Sequence, residues 1–257
     1  MLEEITPLLL TYNEAPNIGR TLDHLSWARD IVVVDSFSRD KTLEVVGRFP
    51  QTRVFRREFD THRDQWEFGL KETGIASEWV LALDADYVLT PQLVEELEAL
   101  CPAPDTQGYR ARFVYCVNGR PLRGSAYPPI TVLYRREAAG YVQDGHTQRV
   151  EVAGQVSDLK ASILHDDRKP LAHWLQSQSH YMRLEAEKLR RSDFHQLGWP
   201  DRLRKMRVVA PFLILTYCLL VKGTILNGRV GVYYALQRMF SELLLSLYLL
   251  EQDLSEP

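Results

Sequence analysis

Long apolar runs are missing from this chain. The longest stretch without a charged residue, residues 208–221, is fourteen residues, whereas a helical membrane span needs about twenty, so a spanning helix is not expected. Cysteine is scarce. Cys101, Cys116 and Cys218 are odd in number and widely scattered, which gives neither a disulfide framework nor a metal-ligand spacing and leaves free thiols in a reducing compartment as the default. No sign of charge dominates: the net charge is −3, so there is no overall nucleic-acid signal and no nucleic acid is expected as a partner. The start, Met1-Leu2-Glu3-Glu4, lacks a basic region ahead of an apolar core, and no signal peptide is read there. Internal repeats and low-complexity tracts are also absent. What is present is a chain of 257 residues with 45% apolar residues, enough for one large domain or one and a half.

The most informative feature is Asp84-Ala85-Asp86-Tyr87, at the end of the apolar run Trp79-Val80-Leu81-Ala82-Leu83. Such a run reads as a strand buried on both faces. Two carboxylates at its mouth are costly unless they meet a cation or hydrogen-bond donors, and a divalent metal carrying a diphosphate answers that need. Earlier in the chain, residues 5–10 form an apolar strand ending in Thr11-Tyr12-Asn13-Glu14. Residues 17–28 carry Ile18, Leu22 and Leu25 at helical spacing, with Asn17 as N-cap. Ile31-Val32-Val33-Val34 is β-branched, hence a strand, and ends at Asp35-Ser36-Phe37-Ser38. A helix then opens at Asp40-Lys41-Thr42, and residues 52–55 give a third strand. This alternation predicts an α/β fold with a mostly parallel, Rossmann-like sheet and helices on both faces. Ligands of such sheets bind outside the carboxyl ends of the strands, where Glu14, Asp35, Asp84 and Asp86 would all lie.

On Thr11-Tyr12-Asn13-Glu14, Val34-Asp35-Ser36-Phe37-Ser38-Arg39-Asp40-Lys41-Thr42, the segment from Gln65 to Leu70, and Leu83-Asp84-Ala85-Asp86, the chain resembles family 2 glycosyltransferases of the GT-A fold. Within them it is similar to the lipopolysaccharide-core branch, which also has a His-containing segment after the sheet and an apolar, basic tail. The resemblance implies a nucleotide-sugar donor held by Thr11, Asn13, Glu14, Asp35, Ser36, Ser38, Gln65 and Asp84. It implies a magnesium or manganese ion on Asp84 and Asp86. It covers the first hundred residues or so best and is looser beyond Gly108. Glu67 stands where the family commonly has Asn, which puts a nucleotide contact there in doubt. Trp66 and Phe68 read as packing residues, and Arg63 or Lys71 as groups within reach of the diphosphate.

The bland readings stand beside these. Asp35 also suits a turn or helix cap, Glu14 a solvated loop acid, and Asp84 with Asp86 an exposed turn pair. In the middle segment, residues 109–117 alternate as a strand with Tyr109, Ala111, Phe113 and Tyr115 on one face, and residues 130–134 form another. Inverting transfer needs a base for the acceptor hydroxyl, and a carboxylate suits that task. The related branch has an acid directly after the His of this region. Here Thr147 and Gln148 follow His146 and the acid precedes it, so Asp144 is the candidate base, against an ordinary tight turn at Asp144-Gly145. His146 orients a phosphate or is structural. His165, at a strand end, is a further metal or diphosphate contact, unless His165-Asp166-Asp167 merely opens the helix after Pro170.

The tail carries a second signal. From residue 168 to 207 there are ten basic residues against four acidic, a surplus of +6 in a chain that is acidic overall. The uncharged stretch 208–221, broken by Pro211, and a second apolar stretch, 230–250, interrupted by Arg238 and Glu242, would form a helical hairpin about Asn227-Gly228-Arg229-Val230-Gly231. Basic residues beside short apolar helices fit a membrane interface, and Trp199, Tyr217, Tyr233 and Tyr234 are types favoured there. The alternative is packing on the catalytic domain or a partner subunit. The expected organisation is a catalytic domain over 1–167, with a nucleotide-sugar half (1–102) and an acceptor half (103–167), followed by a helical tail (168–257). The expected activity is inverting, metal-dependent transfer of a sugar to a cell-envelope or lipid-linked saccharide, on the cytoplasmic, inner face of the cytoplasmic membrane. Two rivals are a polyprenyl-phosphate glycosyltransferase and a non-catalytic nucleotide-sugar-binding or scaffold protein, the second favoured by Glu67 and by the missing acid after His146.

Overall fold

The computed structural model describes residues 1–144 and 147–255, with side chains except at Asp144, Thr147, Gln196, Gln252 and Ser255. In chain order the strands are β1 (Ile5–Thr11), β2 (Ile31–Asp35), β3 (Thr52–Arg56), β4 (Trp79–Asp84), β5 (Tyr87–Leu89), β6 (Thr106–Val117), β7 (Arg120–Pro121), β8 (Ile130–Arg135), β9 (Ala139–Asp144), β10 (Thr147–Val152) and β11 (Gln155–His165). The α-helices are α1 (Ile18–Asp23), α2 (Thr42–Val46), α3 (His62–Lys71), α4 (Pro91–Ala99), α5 (Leu171–Arg191), α6 (Trp199–Lys205), α7 (Val209–Thr216) and α8 (Arg229–Ser255). The chain divides into two compact units, Met1–Gly119 with Tyr127–Arg168, and Arg120–Ala126 with Lys169–Pro257.

The first unit is built on one sheet in the order β3-β2-β1-β4-β8-β6-β11-β5. Its first four strands are parallel, as the strand-helix alternation predicts. Beyond β4 the sheet is mixed. Strand β8 is antiparallel to both β4 and β6, β11 is parallel to β6, and β5 is antiparallel to β11. The apolar runs are continuous because successive side chains serve opposite faces. Leu9, Val33, Leu81 and Leu83 join Ile18, Leu22 and Leu93 in one core, while Leu8, Val32, Val34, Val80 and Ala82 join Trp66, Leu70, Tyr134 and Tyr141 in the other. Helix α3 lies so close that a Cβ on Gly69 would stand 2.7 Å from a Leu8 methyl. Strand β6 alternates as expected over Tyr109, Ala111 and Phe113, buried between exposed Arg110 and Arg112, but then slips, with Tyr115 half-buried and Cys116 buried.

Two local expectations change. Asn17 precedes α1 but makes no side-chain cap bond, because its amide is committed elsewhere. Pro211 does not break a helix. It falls in the first turn of α7, where its missing N–H has no partner to lose.

The second unit is helical. Met182, Ala186 and Leu189 of α5 meet Leu245 and Leu249 of α8 around Leu197. Glu242, which interrupts the apolar pattern of α8, is buried and accepts from Arg204 Nη2 at 2.7 Å. Among the described residues no helix is long and apolar enough to cross a membrane.

Candidate active site

Strands β1, β2 and β4 end side by side, and the loops after β1 and β2 are bonded to each other. Asp35, fully buried at the mouth of β2, accepts from Thr11 Oγ1 at 3.0 Å and Ser38 Oγ at 2.5 Å on one oxygen, and from Ser38 N at 2.9 Å on the other. Ser38 Oγ also accepts from Asn13 N (2.9 Å), and Asn13 Oδ1 accepts from Arg39 N (2.8 Å). Glu14 N donates to Thr42 Oγ1 at 2.7 Å. Asp40 accepts from the Thr42 hydroxyl, from Thr42 N and from Ala15 N. Burial alone would raise the Asp40 carboxyl, but these bonds outweigh it and hold it below the ordinary range. Asn13 (φ 55°) and Phe37 (φ 59°) both take the left-handed conformation, which is costly for Phe and concentrates at functional loops. Gln65, on α3, donates to Ser36 Oγ at 2.7 Å and accepts from Arg57 at 2.7 Å. Beside this network lies a cavity of about 540 Å³ lined by Ser36, Phe37, Ser38, Arg39, Arg56, Glu58 and Phe59. The Arg56 guanidinium sits 4.5 Å from the centre of the Phe37 ring. A hollow of similar size lies at the amino end of β4, but there Arg135 pairs with Glu78 and Arg136 with Glu137. The strand mouths carry the candidate chemistry.

At the end of β4, Asp84, Ala85 and Asp86 turn into β5. Thr21 Oγ1 holds this turn through the Ala85 carbonyl (2.7 Å), and Asp166 N donates to the Asp86 carbonyl (3.0 Å). Because β5 pairs with β11 in the register His165↔Tyr87, His165 Nε2 stands 3.2 Å from Asp86 Oδ2. The imidazole is walled by the rings of Tyr87, Tyr115 and Tyr127, and its Nδ1 is buried without a hydrogen-bond partner among the described residues. Burial would lower the His165 pKa, but the charge and hydrogen bond of Asp86, with Asp84 and Asp167, outweigh it and raise it. Burial and then the Asp84 charge push the Tyr87 and Tyr127 hydroxyls up. The mouth therefore sets two carboxylates, Asp84 and Asp86, beside buried aromatic rings, an arrangement that suits a cation.

A further network is not announced by the sequence. Fully buried Asn17 donates to Glu14 Oε2 and Asp167 Oδ1, both at 2.8 Å, and accepts from Arg168 N and Arg20 Nη2. Asp166 accepts from Arg20 Nη1 (2.6 Å), Arg168 Nε (2.8 Å) and Gly119 N (2.9 Å). Asp166 is thus an internal anchor rather than a helix-terminal charge, and with Asn17 it fixes the segment after His165 to the loop carrying Glu14.

The remaining candidates lie on α3 and the β9–β10 hairpin. Lys71 pairs with Glu67 within α3, and Glu67 accepts from Tyr141 N at 2.6 Å and so ties α3 to the β9–β10 hairpin. Arg63 does the same, through the Tyr141 carbonyl and Gln143. Asp144 ends β9 opposite Thr147, next to Gln143, at the end of the hairpin nearest the first turn of α3. The Asp144 side chain and all of His146 lie outside the described residues.

The family model for glycosyl transferase family 2 matches residues 8–152, more than half of the chain. The chain belongs to glycosyl transferase family 2. Two curated relatives, both named uncharacterized glycosyltransferases, come from Rickettsia bellii (26% identical over 147 residues, 55% of this chain and 49% of the relative) and Rickettsia felis (23% over 179 residues, 64% and 62%). The chain thus spans about half the length of the first and under two thirds of the second. Among solved structures, S. aureus TarS 1–349 in complex with UDP-GlcNAc superposes with a TM-score of 0.51 at 15% identity, over 97% of this chain and 91% of that one, a likeness of fold.

The family's fold implies a divalent metal, and the acidic pair provides a test of fit. Asp84 and Asp86 offer hard carboxylate oxygens. Magnesium and manganese sites of this kind use one or two carboxylates and complete their shells with substrate phosphates and water. Among the described residues no three His, Cys, Asp or Glu side chains are grouped so as to hold a metal ion, and His165, expected as a further metal contact, instead faces Asp86 through Nε2. The donor set fits an ion shared with a diphosphate, with His165 as the neighbour of one ligand.

Proposed function

We propose that this glycosyltransferase moves a sugar, with inversion, from a nucleoside-diphosphate donor to a hydroxyl of a cell-envelope saccharide such as a lipopolysaccharide core. The observation that carries the reading is the convergence of Thr11 and Glu14, Asp35 and Ser38, and Asp84 and Asp86 on one edge of the sheet. In this reading the nucleoside is held near Thr11, Glu14 and Asp35, on loops already cross-linked to each other. The acceptor oxygen attacks the anomeric carbon from the face opposite the diphosphate, the bond to the leaving diphosphate oxygen breaks, and the acceptor proton passes to the Asp144 carboxylate. A magnesium or manganese ion on Asp84 and Asp86 would offset the charge that develops on the diphosphate. His165 fixes the Asp86 carboxylate, and the rings of Tyr87 and Tyr127 hold the His165 imidazole in place.

Glu67, which favoured a non-catalytic reading, has a structural task at the hairpin, so its presence does not argue against activity. A polyprenyl-phosphate acceptor is the second reading, supported by the apolar surface of the helical unit. A phosphate oxygen needs little help from a base, so Asp144→Asn that leaves the rate unchanged would select it. The primary test is calorimetric titration with UDP, GDP and dTDP, each with and without manganese. The expected result is metal-dependent binding of one nucleotide that is lost in Asp86→Ala. Binding of none would overturn the donor assignment.

A further inference from the structure

We propose that residues 206–226 form a lipid-docking surface that seats the helical unit in the headgroup region of an anionic bilayer. The starting point is α7, Val-Ala-Pro-Phe-Leu-Ile-Leu-Thr, which is apolar on every side. A helix of that kind belongs in a core or in lipid, yet only Ala210 and Pro211 of its residues are buried. Phe212 is 57% exposed, Leu220 65%, Val221 72% and Leu226 68%, with Met206, Val208, Leu213 and Ile225 exposed beside them in sequence. Single exposed apolar residues are ordinary, but a run of this density marks an interaction site.

The exposure is built into the fold. Cys218 is buried and its carbonyl accepts from Thr224 Oγ1 at 2.9 Å. Gly223 (φ 67°) and Gly228 (φ 59°) reverse the chain. Gly231 of α8 lies so close to the reversal that a Cβ there would fall 1.7 Å from the Thr224 carbonyl oxygen. With Cys218 and Thr224 pinned inward, Leu220, Val221, Ile225 and Leu226 are left on the outside.

The charge pattern selects the occupant. Between Asp201 and Glu242 the chain has seven Lys and Arg and no Asp or Glu. Arg204 pairs with Glu242 and Asp201, and Arg207 with Asp253. Arg202, Lys205, Lys222, Arg229 and Arg238 make no ion pair among the described residues. The Lys222 ammonium lies 5.4 Å from the centre of the Tyr217 ring, a pairing of long cation and aromatic suited to the bilayer interface. Protein interfaces enrich arginine but deplete lysine at their core, so Lys205 and Lys222 speak against a protein partner, whereas anionic lipid attracts basic flanks of both kinds around an apolar face. Helix α7 and the π-helical turn that continues it to Val221 together span only about 20 Å at 1.5 Å per residue, against about 30 Å of hydrocarbon, so the segment lies in the plane of the interface.

The inference does not depend on the transferase reading, and its readout is lipid binding alone. The full chain is floated with vesicles of phosphatidylcholine, or of phosphatidylcholine with about 30% phosphatidylglycerol, at low and high salt. The expected result is binding at least about tenfold stronger to the anionic vesicles and weakened by salt. Phe212→Asp with Leu220→Asp should lower it by about tenfold or more, with helix content unchanged by circular dichroism. Lys222→Glu with Arg229→Glu, which leaves the apolar face intact, should abolish the preference for anionic vesicles. Absence of vesicle binding, binding indifferent to both variants, or a doubled mass in solution that the aspartates return to monomer without any lipid binding would each overturn the proposal, the last in favour of a second copy of the chain.

Discussion

Replacing Asp166 with Asn isolates a charge whose environment is defined. The carboxylate is 7% exposed and accepts from Arg20, Arg168 and Gly119 N. Removing one partner of a fully buried pair costs about 3–5 kcal/mol. The arginines here are 31% and 35% exposed, so solvent screens part of the attraction, and Asn keeps an oxygen for Gly119 N. The expected loss is about 2–3 kcal/mol at pH 7, or about 1 M in the urea midpoint. The pH dependence has a definite sign. Burial would raise the Asp166 carboxyl, but the hydrogen bonds of Arg168 and Gly119 and the charges of Arg168 and Arg20 outweigh it, and the folded-state pKa is lowered. Such a group contributes stability that is complete above the unfolded value, about 4, and is lost as pH falls through the lower folded value. The gap between wild type and variant, followed by tryptophan fluorescence in urea, should therefore be constant from pH 8 to about 5 and close in stronger acid. A gap below about 0.5 kcal/mol at pH 7, or one that persists in acid, would refute the assignment of Asp166 as a charged anchor.

Three further outcomes follow from the site and the hairpins. Asp86→Asn should lower the rate of sugar transfer by about 10²–10³, the usual scale for losing one group that offsets developing charge, and a product assay giving a rate within about threefold of wild type would remove Asp86 from the chemistry. Glu67→Ala leaves the part-buried Tyr141 N–H without its acceptor and should cost about 1–3 kcal/mol in thermal unfolding. Its nucleotide affinity by titration should stay within about twofold of wild type, because Glu67 is engaged at the hairpin. Gly231→Ala forces a methyl against the Thr224 carbonyl and should destabilise the helical unit by about 2 kcal/mol or more, visible as faster amide exchange in α7 and α8.

The legible part of this protein is the part written in local patterns. Val32 and Val34 face one core and Val33 the other, so the run 31–34 declares its strand, and the acids at the mouths of β1, β2 and β4 declare the edge where a ligand binds. The position of His165 beside Asp86 was open in the sequence because it depends on the antiparallel pairing of β5 with β11, a contact between strands far apart in the chain that no periodicity encodes. Asn17 is a similar case. Its position suits an N-cap, but its amide bonds Asp167 and Arg168, residues 150 and 151 positions away. Glu67 appeared as a departure from a family pattern, and only the register that sets Tyr141 N against it shows its use.

The two sides of the site are held differently, and this bears on which variants should affect which step. The loops after β1 and β2 are joined by bonds from Asn13, Glu14 and Ala15 to Ser38, Thr42 and Asp40, while Asp35 closes the same network from below. A donor meeting these loops has little backbone left to order, so its binding costs less, and substitutions at Ser38 or Thr42 should weaken donor affinity before they slow turnover. The β9–β10 hairpin bearing Asp144 is anchored to α3 through Glu67 and Arg63, a separate attachment that leaves the donor loops untouched. Loosening it with Arg63→Ala should therefore lower kcat while the dissociation constant for the nucleotide holds. Equal losses in both would mean that the hairpin, too, shapes the donor pocket.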